Sequence, residues 1–430
     1  MIGKWVRKRL VDIGPISKGA GISRSQSNSG DIPAVRYGEI YTHHEEYVKS
    51  YVSHISSDVA RTSLLTKKGD ILFAGSGETP DEIGKCVAVI DDGVYAGGDI
   101  VVFSPPQGAD PIYWGCLLNL PYVQRQKAMR AQGSSIYHLR PDATGTIVVE
   151  YADDDKVQHH IAEILSTCDE VIEKSERAKE KLRRIKDGLL ADLMTRGIGN
   201  DGKIRPRPSK APHLYKQSEL GLIPKEWDVK RLGNVCSIQL GKMLDAAKNV
   251  GVEKPYLGNK AVQWGRIDLA AVEKVRLTDA DMAKFRLRMG DLLVCEGGEV
   301  GRCVIWNDEL PECYYQKAIH RLRMIDSESG SIPYLAGLFA WYAAHDMFRA
   351  YVTQTSIAHL PKEKLEALVV TWPKKDEQDQ IADRLAAVDE RIDSEEKAIV
   401  KYRKIKAGSM NRLLTPPSGA EIVDLVEGAT

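Results

Sequence analysis

One long phrase occurs twice in this chain. From Gln158 it reads QHHIAEILSTCDEVIEKSERAKEKLRRIKDGLLADLMT, and from Gln378 it reads QDQIADRLAAVDERIDSEEKAIVKYRKIKAGSMNRLLT. Aligning Ile161 with Ile381 sets an offset of 220 that holds without a gap to Thr195 and Thr415. Asp169 then falls on Asp389, Ile172 on Ile392, Lys186 on Lys406 and Gly188 on Gly408. The echo continues upstream. SIYHL at Ser135 answers SIAHL at Ser356, KKGDILFAGSGE at Lys67 answers RMGDLLVCEGGE at Arg288, and KWVRKRL at Lys4 answers EWDVKRL at Glu226. Gly19 likewise matches Gly241. A repeat of about 220 residues is too long for a solenoid and reads as a duplicated multi-element unit. The 430 residues hold two such units.

Each unit has two parts. The first is rich in Gly, Val, Ile, Tyr and Thr, with short runs such as GDILFAG, CVAVIDDGVYAGGDIVVF and GDLLVCEGG that read as strands and turns. A few helices interrupt them, PIYWGCLLNLPYVQRQKAMRAQ among them. The second part is a single long helix without Pro and almost without Gly. In the later copy Ile381, Leu385, Val388, Ile392, Ile399 and Tyr402 keep the alternating four-three spacing of a coiled-coil seam. In the earlier copy Ile161, Leu165, Cys168, Ile172 and Leu182 keep the same register. The stripe is narrow, as expected for a helix that pairs with one partner, and the expected partner is the other copy. Ser175 and Lys179 stand where the second helix has Glu395 and Ile399, and both a seam and a solvated flank remain open there. GIGNDGKIRPRPSKAPHLYKQSELG, between the copies, is a linker by composition. The expected order is a globular domain over 1–152, a helix over 153–197, a linker over 198–220, a second domain over 221–374, a second helix over 375–415 and a tail over 416–430.

Composition narrows the function classes. Lys+Arg and Asp+Glu are both 60, so the chain lacks the basic excess of a generic polyanion binder, although one basic face can be offset elsewhere. Seven scattered cysteines without a CxxC suit reduced thiols, and the spacing of Cys295, Cys303 and Cys313 fits no common zinc pattern. The start, MIGKWVRKRLVDIG, is basic but lacks the apolar stretch of a signal peptide, and no run of 18 apolar residues occurs. A cytoplasmic protein with no membrane association is expected.

Catalytic motifs are missing. SPPQ at Ser104 and TPPS at Thr415 are not the Asn/Asp-Pro-Pro-Tyr/Phe that grips an exocyclic amine in amino-methyltransferases. GETPDEIGK, from Gly77 to Lys85, has the wrong gap for a phosphate loop, and its PDEIGK is too compact for a nuclease carboxylate–lysine set. The adjacent pairs His43–His44 and His159–His160 diverge, which speaks against ligand or base roles. No catalytic residue, metal ligand or bound cofactor is expected, and the chain reads as a binder.

The helix bearing EQDQIADRL and IKAGSMNRLLT, the SIAHL element ahead of it and the duplication itself resemble the DNA specificity subunit of type I restriction–modification systems. The likeness covers nearly the whole chain. YLGNKAVQWGRIDL, GDLLVCEGGEVGRCVIW and YYQKAIHRLR look like one class of target-recognition domain, and VRYGEIYT with FAGSGETPDEIGK like another. The chain departs from the pattern at His159–His160, where the second helix has Asp379–Gln380. The resemblance implies an α+β fold of two mixed α/β target-recognition domains separated by two long antiparallel coiled-coil helices, with pseudo-two-fold symmetry. Each domain would read one half of an interrupted double-stranded DNA target. It also implies two methyltransferase subunits that carry S-adenosylmethionine and modify adenine N6, and restriction/translocase subunits that use ATP and Mg; this chain would hold none of these cofactors.

Base reading calls for polar side chains on loops that reach a groove, and phosphate contact for Lys, Arg and backbone amides. In the first domain the candidates are Lys18, Arg24, Gln26 and Asn28 of SKGAGISRSQSNSG. RQKAMRAQGSSIYH adds Arg125, Lys127, Arg130, Gln132, Ser134, Tyr137 and His138. In the second domain they are Lys242, then Asn259, Lys260, Gln263 and Arg266, with Trp264 expected in the core. EGGEVGR adds Glu296 and Arg302, and TQTSIAH adds Thr353, Gln354, Thr355, Ser356 and His359. Three other readings stand beside this one: a DNA-modifying or DNA-cutting enzyme, a coiled-coil scaffold without a DNA role, and a specificity subunit whose partner fuses methyltransferase and nuclease.

Overall fold

In the computed structural model, which describes residues 4–243, 249–354, 358–418 and 420–426, GDILFAG forms strand Ile71–Ala74, buried at every residue. Its counterpart forms Leu292–Cys295, buried likewise. Both faces are covered, which is why these runs are continuously apolar. Ile71 and Phe73 enter one core while Leu72 and Ala74 enter another. Leu292 and Val294 are separated from Leu293 and Cys295 in the same way.

The described residues group into two compact units, Met1–Arg177 with Glu396–Thr430, and Ala178–Glu395. In the first, a four-stranded antiparallel sheet has the order Ile16–Lys18, Ile100–Phe103, Ile71–Ala74, Cys86–Ala88. In the second, Cys236–Leu240, Ile319–Met324, Leu292–Cys295 and Cys303–Ile305 take the same order. A smaller sheet flanks each, with a parallel pair at Ile32–Val35 and Tyr95–Ala96 in one and at Val252–Leu257 and Tyr314–Tyr315 in the other. The duplication is therefore one of topology as well as sequence.

Helix α1 spans Asp155–Arg196 and α2 spans Lys375–Leu413. Each starts welded to the domain before it. Buried Gln158 accepts from Trp114 Nε1 at 3.2 Å and donates to Ala152 O at 2.7 Å. Its counterpart Gln378 accepts from Ser331 N at 2.9 Å and donates to Pro373 O at 2.8 Å. The helices do not form a bare two-stranded seam at these ends. Ile161 and Leu165 lie in the core of the first unit with Trp5, Trp114 and Tyr151, which the end of α2 joins through Leu413 and Leu414. Ile381 and Leu385 lie in the core of the second with Tyr334 and Trp372, joined by Leu193 and Met194 from the end of α1. Farther along, Ile172, Ile392 and Ile399 are buried, whereas Cys168, Leu182, Val388 and Tyr402 are half-buried.

The repeat-related Asp and Lys positions face each other across the helices, in antiparallel sense within each unit. Lys406 Nζ lies 2.6 Å from Asp169 Oδ1 and 2.5 Å from Glu46 Oε2 in the first unit, while Arg403 reaches Glu176 at 2.6 Å. Lys186 Nζ lies 2.5 Å from Asp389 Oδ1 in the second. The twins differ in setting: Lys406 and Asp169 are 7% and 2% exposed, Lys186 and Asp389 35% and 48%. Burial lowers the Lys406 pKa, but the Glu46 and Asp169 carboxylates outweigh it and hold the ammonium well above its ordinary value.

Two segments are more ordered than their composition suggests. Within 198–220, Arg205 is buried, donates to Glu377 Oε1 at 2.5 Å and also pairs with Glu226, and Tyr215–Ser218 forms a hairpin with Gly221–Pro224. In the tail, Ile422–Asp424 adds a parallel strand to Trp5–Arg7. No helix among the described residues is long and apolar enough to cross a membrane.

Candidate nucleic-acid interface

Loops gather at one end of the four-stranded sheet in each unit. In the first, Gly98 N donates to Gly21 O at 3.0 Å, Gly75 N to Asp99 O at 2.8 Å and Leu139 N to Gly75 O at 2.9 Å. Ser76–Gly77 pairs with Tyr137–His138, with 3.0 Å between Ser76 Oγ and His138 Nδ1, and Tyr41 Oη donates to Ser76 O at 3.1 Å. These bonds tie the stretch around Arg24, the short helix Tyr37–Thr42, the FAGSGE turn and the GSSIYH turn into one edge. A cavity of about 780 Å³ opens there, lined by the loops at 21–24 and 97–99 and by the short helix with its flanks, 36–43.

Most first-domain candidates sit on or near this edge. Lys18, Arg24, Asn28, Arg125, Gln132, Ser134 and His138 are exposed and Tyr137 is half-buried. Gln26 is exposed but accepts from Ser23 N at 2.9 Å, closing its own turn. Two residues do not fit a reading role. Lys127 is wholly buried; its Nζ meets Gln124 Oε1 at 3.3 Å, Cys86 Sγ at 3.9 Å and the Phe73 ring at 5.3 Å. Its position faces the core side of helix Pro121–Arg130, so it cannot reach DNA. Arg130 is spent on Thr146 Oγ1 at 2.7 Å and Gln126 O at 3.0 Å, which tie down the end of that helix.

In the second unit Leu360 N donates to Glu296 O at 2.7 Å and Gly297 bridges to His359, so EGGE adjoins His359–Leu360 as FAGSGE adjoins His138–Leu139. Lys260 and Arg266 are exposed, Gln263 is half-buried and bonds to Lys260 O at 2.7 Å, and Glu296 is half-buried. Lys242 is tied to Asp281 Oδ2 at 2.7 Å. Asn259 donates to Gly297 O at 3.1 Å. Arg302, expected to read DNA, is instead a loop anchor, mostly buried, with Nη2 donating to Asn259 O at 2.9 Å. Lys85, at the repeat-related position before CV, does the same to His44 O at 2.6 Å. Trp264 packs partly buried against the core, with Nε1 on Glu299 Oε1 at 2.5 Å. Thr353–Gln354 pairs with Ala358–His359, and Thr355 and Ser356 lie outside the described residues. One carboxylate cluster with metal-like spacing, Glu45, Glu46 and Asp169, is filled by the Lys406 ammonium.

Sequence reasoning missed Arg36, Tyr37 and His43, which line the cavity. VRYGEIYT carries no turn signal, and only the fold brings it beside the Gly21 and Gly97–Gly98 loops.

The sequence profile of the type I restriction modification DNA specificity domain matches residues 2–184 and again 224–401. The chain belongs to that family. The two matches fall on the two halves of the duplication, and the family's specificity subunits are non-catalytic. Among relatives, the type I restriction enzyme MjaVIII specificity subunit of Methanocaldococcus jannaschii is 24% identical over 86% of this chain and 84% of its own length. The putative MjaX specificity subunit of the same organism is 24% identical over 96% and 93%. The crystal structure of a type I restriction–modification S subunit from M. genitalium shares the fold at a TM-score of 0.57 and 14% identity, covering 97% of each chain. A chain from a study of complex assembly and conformational transition in the type I R-M system does so at 0.57 and 15%, covering 96% of this chain and 97% of the other. This specificity-family chain thus carries two repeat-related heads, each with exposed polar and basic residues at one sheet end.

Proposed function

We propose that the chain reads a bipartite, interrupted double-stranded DNA target, one arm by each unit, and directs adenine-N6 methylation and restriction by partner subunits. The observation that carries this reading is the repeated head: one sheet order, one junction of loops and two different sets of exposed side chains. A duplicated frame with divergent readers suits two arms of unlike sequence. Exposed Lys18 and Arg125 in one head, and Lys260 and Arg266 in the other, are available for phosphates, while Asn28, Gln132, Ser134 and Gln263 are available for base edges. With equal numbers of acidic and basic residues, the chain's attraction for DNA is local to these heads.

The partners in this reading are two methyltransferase subunits carrying S-adenosylmethionine and restriction/translocase subunits using ATP and Mg. The assembly named for one structural relative is in keeping with that arrangement. Mapping N6-methylated adenines in the host genome with and without this gene tests it. Loss of methylation at one interrupted motif, with other motifs intact, is expected. A map that does not change with the gene removes the reading.

A further inference from the structure

The cavity in the first head is lined in part by Arg24, Arg36, Tyr37, Glu39, His43 and Asp99. Arg24 and Tyr37 stand exposed at its rim. Arg36 is held differently: its side chain is 24% exposed and Nη1 lies 3.9 Å from Glu39 Oε1. Glu39 is itself buried and fixed, since Ser53 Oγ donates to Oε1 and Arg36 N donates to Oε2 at 3.3 Å. A braced carboxylate therefore stands at ion-pair distance from one nitrogen of the guanidinium. The wall beside it is strained: Ile22 takes φ 58° directly after Gly21 at 65°. A β-branched residue in the left-handed region persists only where its surroundings over-determine it, and such strain concentrates at binding sites.

We propose that Arg36 reads a guanine in the DNA arm recognised by the first unit, with Glu39 as its positioning residue. The proposal rests on the DNA-reading function above and names the side chain that sets one base of one arm. The guanidinium fork matches the O6 and N7 acceptors of guanine. A phosphate is the poorer occupant. The Glu39 and Asp99 carboxylates offset Arg24 and Arg36 within the same cavity, so little net charge draws an anion in, whereas a neutral base edge meets no such repulsion. Exposed cations such as Lys18 and Arg125 suit phosphates better.

The test is methylation mapping with the full-length chain and its partners, comparing wild type with Arg36→Ala, Arg36→Gln, Arg36→Lys and Glu39→Gln. In wild type one position of one arm is guanine. Arg36→Ala and Arg36→Lys make that position degenerate, with discrimination falling about 10- to 100-fold. Arg36→Gln turns it towards adenine, whose N6 and N7 fit an amide. Glu39→Gln relaxes the same position without redirecting it, and the second arm stays unchanged throughout. An even fall in methylation with the motif intact identifies a phosphate or purely structural contact and overturns the proposal, as does relaxation at a position that is not guanine. A wild-type chain that directs no interrupted motif defeats the function itself, whereas a wild-type motif left untouched by Arg36→Ala defeats only the role of Arg36.

Discussion

At the residue scale, two side chains show how burial changes what a basic residue does. Lys127 has no carboxylate within its described contacts, and burial lowers its pKa. Lys127→Met is expected to keep full stability, because a buried cation without a carboxylate partner contributes little over an apolar group of similar volume. Lys127→Ala should lose about 2–3 kcal/mol through the cavity it leaves. Neither should alter DNA affinity; a weakened complex from a stable Lys127→Met chain would return the residue to the surface set. His44 is buried with Nε2 unpartnered, and burial, then His43 and Lys85, push it down from 6.5 to about 4. The unfolded chain binds this proton first as pH falls. The neutral ring's contribution is therefore present above pH 6.5 and is lost on descent towards pH 4. Urea midpoints at pH 7.5 and 5.0 should fall further for wild type than for His44→Gln, and equal falls would show that His44 is not the group responsible. Neither the burial of Lys127 nor the place of Arg36 was legible in the sequence. QRQKAMR does not say which face of its helix is buried, and nothing local marks Arg36 as lining a cavity formed by loops far along the chain.

At the element scale the helices were readable and the cores that receive their ends were not. An unbroken alignment without Pro marks a long helix, and the matched Asp169–Asp389 and Lys186–Lys406 columns are the ones that form cross-helix ion pairs. Which core the end of each helix joins depends on contacts remote in sequence. The same is true of Arg205 inside a Pro-rich stretch and of the strand Ile422–Asp424 inside an unremarkable tail. The twin ion pairs give a comparison within one molecule. Lys406→Met strands buried Asp169 and half-buried Glu46, so it should cost about 3–5 kcal/mol. Lys186→Met removes a pair that is partly open to solvent and should cost under about 1 kcal/mol. Denaturant unfolding of the two variants measures the difference. Equal losses would mean that burial does not distinguish the pairs.

At the scale of the whole molecule, each compact unit draws on both repeats: a head and the start of one helix, completed by the end of the other. The duplication was legible because it is written in alignable residues. The exchange of helix ends was not, because a helix reads the same whichever core receives it. Since both heads share one sheet order and meet equivalent helix ends, either should serve in either place. The most direct measurement is therefore the methylation map directed by a chain in which residues 221–374 are replaced by a second copy of 1–152. The account predicts a palindromic interrupted site, both arms being the one that the first unit reads in the wild type. A map that keeps the original asymmetric site would contradict it.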